Sequence, residues 1–184
     1  GYFSYVYSGF KHKTIPVAIK IIRRGNDKME ENELELLKAL KGKKHIIQLY
    51  DGFIKDDNAI FVFEKINSIP EKELLSRKLS IENIRFYLKC ILEALKESHR
   101  INIIHRDLRF QNILVSKNFG NVTVIDWGCG TKISSTMRSS VGARSTRSPE
   151  MLMGYNNFGT KGDTWSIGAL IVYILSEGNI PWNE

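Results

Sequence analysis

The hydrophobic pattern of this 184-residue chain changes period near Glu64, and that switch divides it into two unlike parts. Before it, aromatic and β-branched residues crowd into short runs. Phe3 to Tyr7 and Ile15 to Ile22 flank a turn-prone Ser8-Gly9 and read as an antiparallel hairpin. Ile46 to Tyr50 and Ile60 to Phe63 read as two further strands around the polar turn Lys55-Asp56-Asp57-Asn58. Between the pairs, the charged stretch from Asp27 to Lys44 carries Met29, Leu34, Leu36, Leu37 and Leu40 at mostly helical spacing, which predicts one half-buried helix. After Glu64, Ser80 can cap a long helix with Ile81, Ile84, Tyr87, Leu88, Ile91, Leu92 and Leu95 on one stripe. Ile113 to Val115 and Val122 to Ile125 form a small hairpin around Asn118-Phe119-Gly120-Asn121, and a last helix covers about Asp163 to Ser176. The expectation is an α+β fold: a sheet-rich lobe over 1–65 and a mainly helical lobe over 66–184, sharing a cleft.

Charge and cysteine usage narrow the functional classes. Lys plus Arg number 27 against 20 Asp plus Glu, and the resulting +7 attracts nucleic acid, anionic membrane surface or acidic protein without choosing among them. No aromatic array or helix-turn-helix pattern accompanies the charge, so direct nucleic-acid binding is not expected and acidic protein substrates are. The longest apolar stretch, Ile167 to Leu175, falls well short of the roughly 20 residues that span a bilayer, so no membrane contact is expected. Cys90 and Cys129 are too few for a disulfide framework or a zinc site, which points to a reducing intracellular compartment.

The chemistry-bearing residues fall in a fixed order. Gly1-Tyr2-Phe3-Ser4-Tyr5-Val6 is followed by Val17-Ala18-Ile19-Lys20, then by Glu33 on the charged helix. His105-Arg106-Asp107-Leu108-Arg109-Phe110-Gln111-Asn112 stands between the long helix and the short hairpin, and Asp126-Trp127-Gly128 closes that hairpin. Ser148-Pro149-Glu150 and Asp163-Thr164-Trp165-Ser166-Ile167-Gly168 come last. Along nearly the whole chain this series resembles the eukaryotic protein kinases.

The resemblance implies a bilobal kinase fold, truncated at both ends, with a small antiparallel sheet lobe carrying one regulatory helix. It also implies ATP and Mg2+ as cofactors. Asp107 would then face the attacking hydroxyl, and Arg109 would stand where serine/threonine kinases usually carry a lysine against the moving phosphate. Asn112 and Asp126 would hold the metal, and Lys20 would reach the α- and β-phosphates, with Glu33 fixing its rotamer and Glu30 as runner-up. Gly1 and Ser4 would belong to the phosphate lid. Val6, Ala18 and Leu114 would wall the adenine pocket behind a gatekeeper Phe63, with backbone hydrogen bonds from Glu64 and Ile66. Asp163 would brace the catalytic loop, and Glu150 would lack its usual buried arginine partner.

Within the family, Phe3-Ser4-Tyr5-Val6-Tyr7 and Gly142-Ala143-Arg144-Ser145-Thr146-Arg147-Ser148-Pro149-Glu150 look most like the cell division control protein 7 kinases, with casein kinase II as the competitor. That likeness implies serine or threonine targets in acidic surroundings, an activating regulatory subunit, and a nuclear role in cell division or replication initiation. Arg144 and Arg147 would suit acidic substrates, or would pair with the protein's own carboxylates or activation segment. Arg106 could meet a phosphate on the hydroxyl-rich segment from Ser134 to Thr146. Three departures from the pattern matter. Arg109 replaces lysine, Ser4 replaces a lid glycine, and Ala143 stands where a threonine would bridge to Asp107. They keep open a second reading, a pseudokinase that serves as a binding scaffold.

Overall fold

The computed structural model describes residues 4–23, 29–55, 58–77, 79–134, 137–179 and 182. The first part contains β1 (Ser4–Lys11), β2 (Ile15–Arg23), α1 (Met29–Ala39), β3 (Leu49–Lys55) and β4 (Asn58–Glu64). The four strands form an antiparallel sheet in the order β1-β2-β4-β3. Strand register puts Ser4, Val6, Ala18, Lys20, Ile22, Phe61 and Phe63 on one face, because alternate residues share a side. Helix α1 covers that face, its Leu34 packing beside Gly52, where an added Cβ would meet Leu34 Cδ1 at 2.6 Å.

The first hairpin turns elsewhere than at Ser8-Gly9. Those residues lie inside β1, opposite Ala18 and Val17, and the chain reverses at His12-Lys13-Thr14. His12 and Lys13 take left-handed φ values of 52° and 67°, and Thr14 N–H donates to Lys11 O at 3.2 Å. Gly9 is small for packing, not for turning: a Cβ there would approach Ile19 Cδ1 to 3.1 Å. The third strand also starts later than Ile46, which instead bridges Val124 in the second part.

The second part contains α2 (Glu71–Ser76), α3 (Ile81–His99), β5 (Ile103–Ile104), β6 (Ile113–Val115), β7 (Val122–Val124), β8 (Thr131–Lys132), α4 (Pro149–Leu152) and α5 (Thr160–Leu175). Ser80 caps α3 as its sequence predicts, its Oγ accepting from Asn83 N–H at 3.2 Å. The buried stripe of α3 is Tyr87, Cys90, Ile91, Ala94, Leu95 and Ser98, while Ile81 and Leu92 are exposed. Leu92 sits one residue, about 100° of helix rotation, beyond Ile91 and so leaves the stripe. Helix α5 begins at Thr160, ahead of the expected Asp163, and the short α2 after Pro70 had no periodic signal. Pairing of β6 with β7 matches expectation.

One contiguous core joins the two parts, with Leu36, Leu37 and Phe61 in the same cluster as Tyr87, Leu108, Val124 and Trp127. The backbone bond from Ile47 N–H to Val124 O (3.0 Å) ties the first part to the small hairpin, and Ile69 N–H to Val115 O (2.8 Å) ties the segment after β4 to the same hairpin. Among the described residues, no helix is long and apolar enough to cross a membrane.

Candidate active site

The cleft between the parts gathers side chains that lie far apart in sequence. On β2, Lys20 points toward α1, and its Nζ donates to Glu33 Oε1 at 2.8 Å and to Asp126 Oδ1 at 2.9 Å. Burial pulls the Lys20 ammonium down, but the two carboxylates outweigh it and leave its pKa raised. Burial also pushes Asp126 up, yet Lys20 and His105 draw it below the ordinary carboxylate value. At Glu33 burial prevails and its carboxyl is raised. Glu33, not Glu30, is thus the partner of Lys20. Glu30 is buried nearby, and its Oε2 finds no hydrogen-bond partner among the described residues. Both line a cavity of about 180 Å³ with Ser4, Lys20, Asp126, Gly128 and Cys129.

Asp126 follows β7 in a left-handed conformation, φ 59°, which aims its carboxylate back at Lys20. Trp127 is fully buried against α1 and stacks edge-on to His105, ring centroids 4.7 Å apart. His105 Nε2 in turn meets Ile125 O at 3.0 Å, so the loop before Asp107 and the strand before Asp126 are locked together. Ile125 N–H donates to Asn112 O at 2.9 Å, placing Asn112 beside Asp126.

Asp107 is held on three sides. Asn112 Nδ2 donates to its Oδ2 at 2.9 Å, Ala143 N–H donates to its Oδ1 at 2.8 Å, and Arg109 Nε lies 3.6 Å from Oδ2. The alanine thus supplies from its backbone the bridge that a threonine side chain was expected to make. Gly142 permits this geometry at φ +74°, and a Cβ there would come within 2.3 Å of Arg106 O. Gly142→Ala is expected to cost about 1–3 kcal/mol and to loosen the Asp107 contact. Urea unfolding would register it.

Beneath the loop, Asp163 accepts from His105 N–H and Arg106 N–H, both at 2.9 Å, and contacts His99 Nε2 at 2.8 Å. The brace expected of Asp163 is therefore formed. Arg106 does not face solvent alone: its guanidinium donates to Cys129 O at 2.6 Å and Arg138 O at 3.0 Å. Arg147 donates to Val141 O and Gly142 O, each at 2.7 Å, so it pairs with the activation segment, whereas Arg144 is exposed. Glu150 is half-buried, which relaxes the demand for a buried partner.

Among the expected adenine-pocket residues, Val6 is 68% exposed, Ala18, Glu64, Ile66 and Leu114 are half-buried, and Phe63 is buried edge-on to Phe61. Glu64 N–H is engaged by Gln48 O at 3.0 Å, so that donor is taken up within the protein. Ser4 lies on β1 at the cleft, and Gly1 lies outside the described residues.

The donor set suits a hard divalent cation. Asn112 turns its NH2 to Asp107, which leaves its amide oxygen, and Asp126 is ionised with one oxygen on Lys20. Two oxygen donors leave room in a divalent cation's shell for further oxygen ligands.

A family model described as protein kinase domain matches residues 1–184. The chain is 31% identical over 191 residues to the serine/threonine-protein kinase KIC1 of Saccharomyces cerevisiae, covering 99% of this chain and 18% of that protein. It is 31% identical over 177 residues to the probable serine/threonine-protein kinase KIN28 homolog of Encephalitozoon cuniculi, covering 92% and 57% respectively. To cyclin-dependent kinase D-1 of Arabidopsis thaliana it is 34% identical over 169 residues, covering 86% and 42%. The chain spans less than two thirds of the length of each of these relatives.

Proposed function

We propose, because this chain belongs to the protein kinase domain family, that it transfers the γ-phosphoryl group of ATP to serine or threonine hydroxyls of protein substrates. The observation that carries this reading is Lys20 held between Glu33 and Asp126, with Asp107 fixed by Asn112 and Ala143. Lys20 would bind the α- and β-phosphates, and the Ser4 backbone and Val6 would cover the nucleotide from β1. Ala18, Phe63, Leu114, the Glu64 carbonyl and Ile66 would receive the adenine. Asp107 would orient the acceptor hydroxyl and take its proton, and Arg109, whose Nε finds no hydrogen-bond partner among the described residues, would turn to the transferring phosphoryl group. Asn112 and Asp126 would hold Mg2+, which supplies charge neutralisation on the phosphate oxygens when bound.

The finer parts of the proposal rest on residue likeness. The 1–65 and 66–184 lobes would bound the cleft. The exposed Arg144 supports a preference for acidic surroundings. A role in cell division or replication initiation, a nuclear site of action and an activating subunit belong to the likeness with the cell division control protein 7 kinases. One relative is named a cyclin-dependent kinase, which is in keeping with such a subunit. The scaffold alternative rests on Arg109, Ser4 and Ala143, and the backbone donation from Ala143 to Asp107 weakens the last of these grounds.

The direct test is thermal unfolding with ATP and with or without magnesium. A rise in Tm that needs both, and that Asp126→Asn abolishes, is expected. A rise without magnesium, or one unchanged in the variant, would dismiss the assignment of Asp126.

A further inference from the structure

An antiparallel sheet with one covered face ordinarily turns polar side chains outward. Here the face opposite α1 is apolar over two consecutive cross-strand rows. Register aligns Tyr5, Ile21, Ile60 and Phe53 in one row and Tyr7, Ile19 and Val62 in the next. Tyr5, Tyr7 and Phe53 are 60%, 53% and 43% exposed, and the four aliphatic residues between them are only half-buried. The tyrosine rings lie 6.4 Å apart on the same side, which fixes them as one surface. Contiguous apolar surface of this kind marks an interaction site more often than scattered hydrophobic residues do.

What frames the patch indicates its occupant. The next outward row beyond Tyr5 is Arg23, Asn58 and Lys55, and both cations are exposed and form no salt bridge among the described residues. At the opposite end of the face stands Lys11, over the Tyr50 ring at 5.6 Å. Among the described residues, Asp51 beside Val62 and Glu64 opposite Val17 are the two acids of this face, against three cations. A second copy of the chain laid on this face would bring like charges together, and each copy carries a net +7. We propose that the outer sheet face docks an acidic, amphipathic segment of a partner protein. Its apolar side chains would lie on the two rows and its carboxylates would meet Arg23 and Lys55. None of these residues belongs to the cleft, so the surface stands apart from phosphoryl transfer.

The test uses the full chain and a fluorescent peptide that alternates leucine and phenylalanine with serine and ends in a run of glutamates, read by anisotropy. The double variant Tyr7→Ser with Phe53→Ser removes apolar surface, and Arg23→Glu with Lys55→Glu reverses the frame. Both pairs are exposed, and circular dichroism checks that each variant is folded. Each is expected to weaken binding at least about tenfold, and a peptide with lysines in place of the glutamates is expected to bind at least about tenfold more weakly than its parent. The proposal fails if the parent peptide does not bind up to about 1 mM, if the variants bind it undiminished, or if the lysine peptide binds as well. It fails equally if sedimentation velocity shows self-association through this face, or if phosphatidylserine vesicles bind it more tightly than the peptide.

Discussion

Asp107→Asn is expected to lower phosphoryl transfer by about 10²–10⁴-fold, with magnesium–nucleotide binding largely kept. The carboxylate receives two donors, the Ala143 N–H on one oxygen and the Asn112 amide on the other. An asparagine at 107 has one acceptor oxygen, so its own NH2 must face one of those donors. The variant therefore loses the proton acceptor and one of the two contacts that aim it, at a stability cost of about 1–3 kcal/mol. Labelled phosphate transfer to an acidic serine peptide measures the first effect, and the nucleotide-dependent rise in Tm measures what remains of binding. Transfer within a few-fold of the parent rate would overturn the role given to Asp107. Loss of transfer together with loss of nucleotide binding would place the defect in folding instead.

Asp163→Ala is expected to be the most destabilising single change in the cleft. Its carboxylate is 1% exposed and accepts from His105 N–H and Arg106 N–H while contacting His99. Removing it strands two backbone donors in a buried loop where Arg106 already takes a left-handed φ of 66°. The loss should be about 3–5 kcal/mol, which for a chain of this size lowers Tm on the order of 10 °C. Asp163→Asn keeps one acceptor and should lie between. Calorimetry on both variants checks the order, and equal stability of parent and alanine variant would mean that water replaces the brace.

The residues proposed to do the work were legible in the sequence because each has a chemistry that little else supplies. Lys20, Glu33, Asp107, Asn112, Asp126 and Asp163 come in an order that implies their meeting, and all six converge on the cleft and its supporting loop. What escaped was carried by the backbone. The Ala143 N–H, the Cys129 and Arg138 carbonyls that receive Arg106, and the Gly142 carbonyl that receives Arg147 belong to no residue type and so leave no mark in a pattern of side chains. The first turn escaped for a related reason. His12 and Lys13 adopt the left-handed conformation without a glycine, whereas the glycine that drew attention, Gly9, serves packing under Ile19. Helix α2 is too short, at six residues, to show a period.

The contact between Ala143 and Asp107 has a genetic consequence. A main-chain donor is common to every amino acid except proline, so codon 143 can drift widely while the aspartate stays aimed. Inheritance of the contact passes instead to codon 142, where the backbone bends at φ +74° and tolerates little but glycine. A hydroxyl at 143 could be esterified by another enzyme and the link thereby cut; an amide of the main chain cannot be modified that way. The contact itself is thus closed to that form of control.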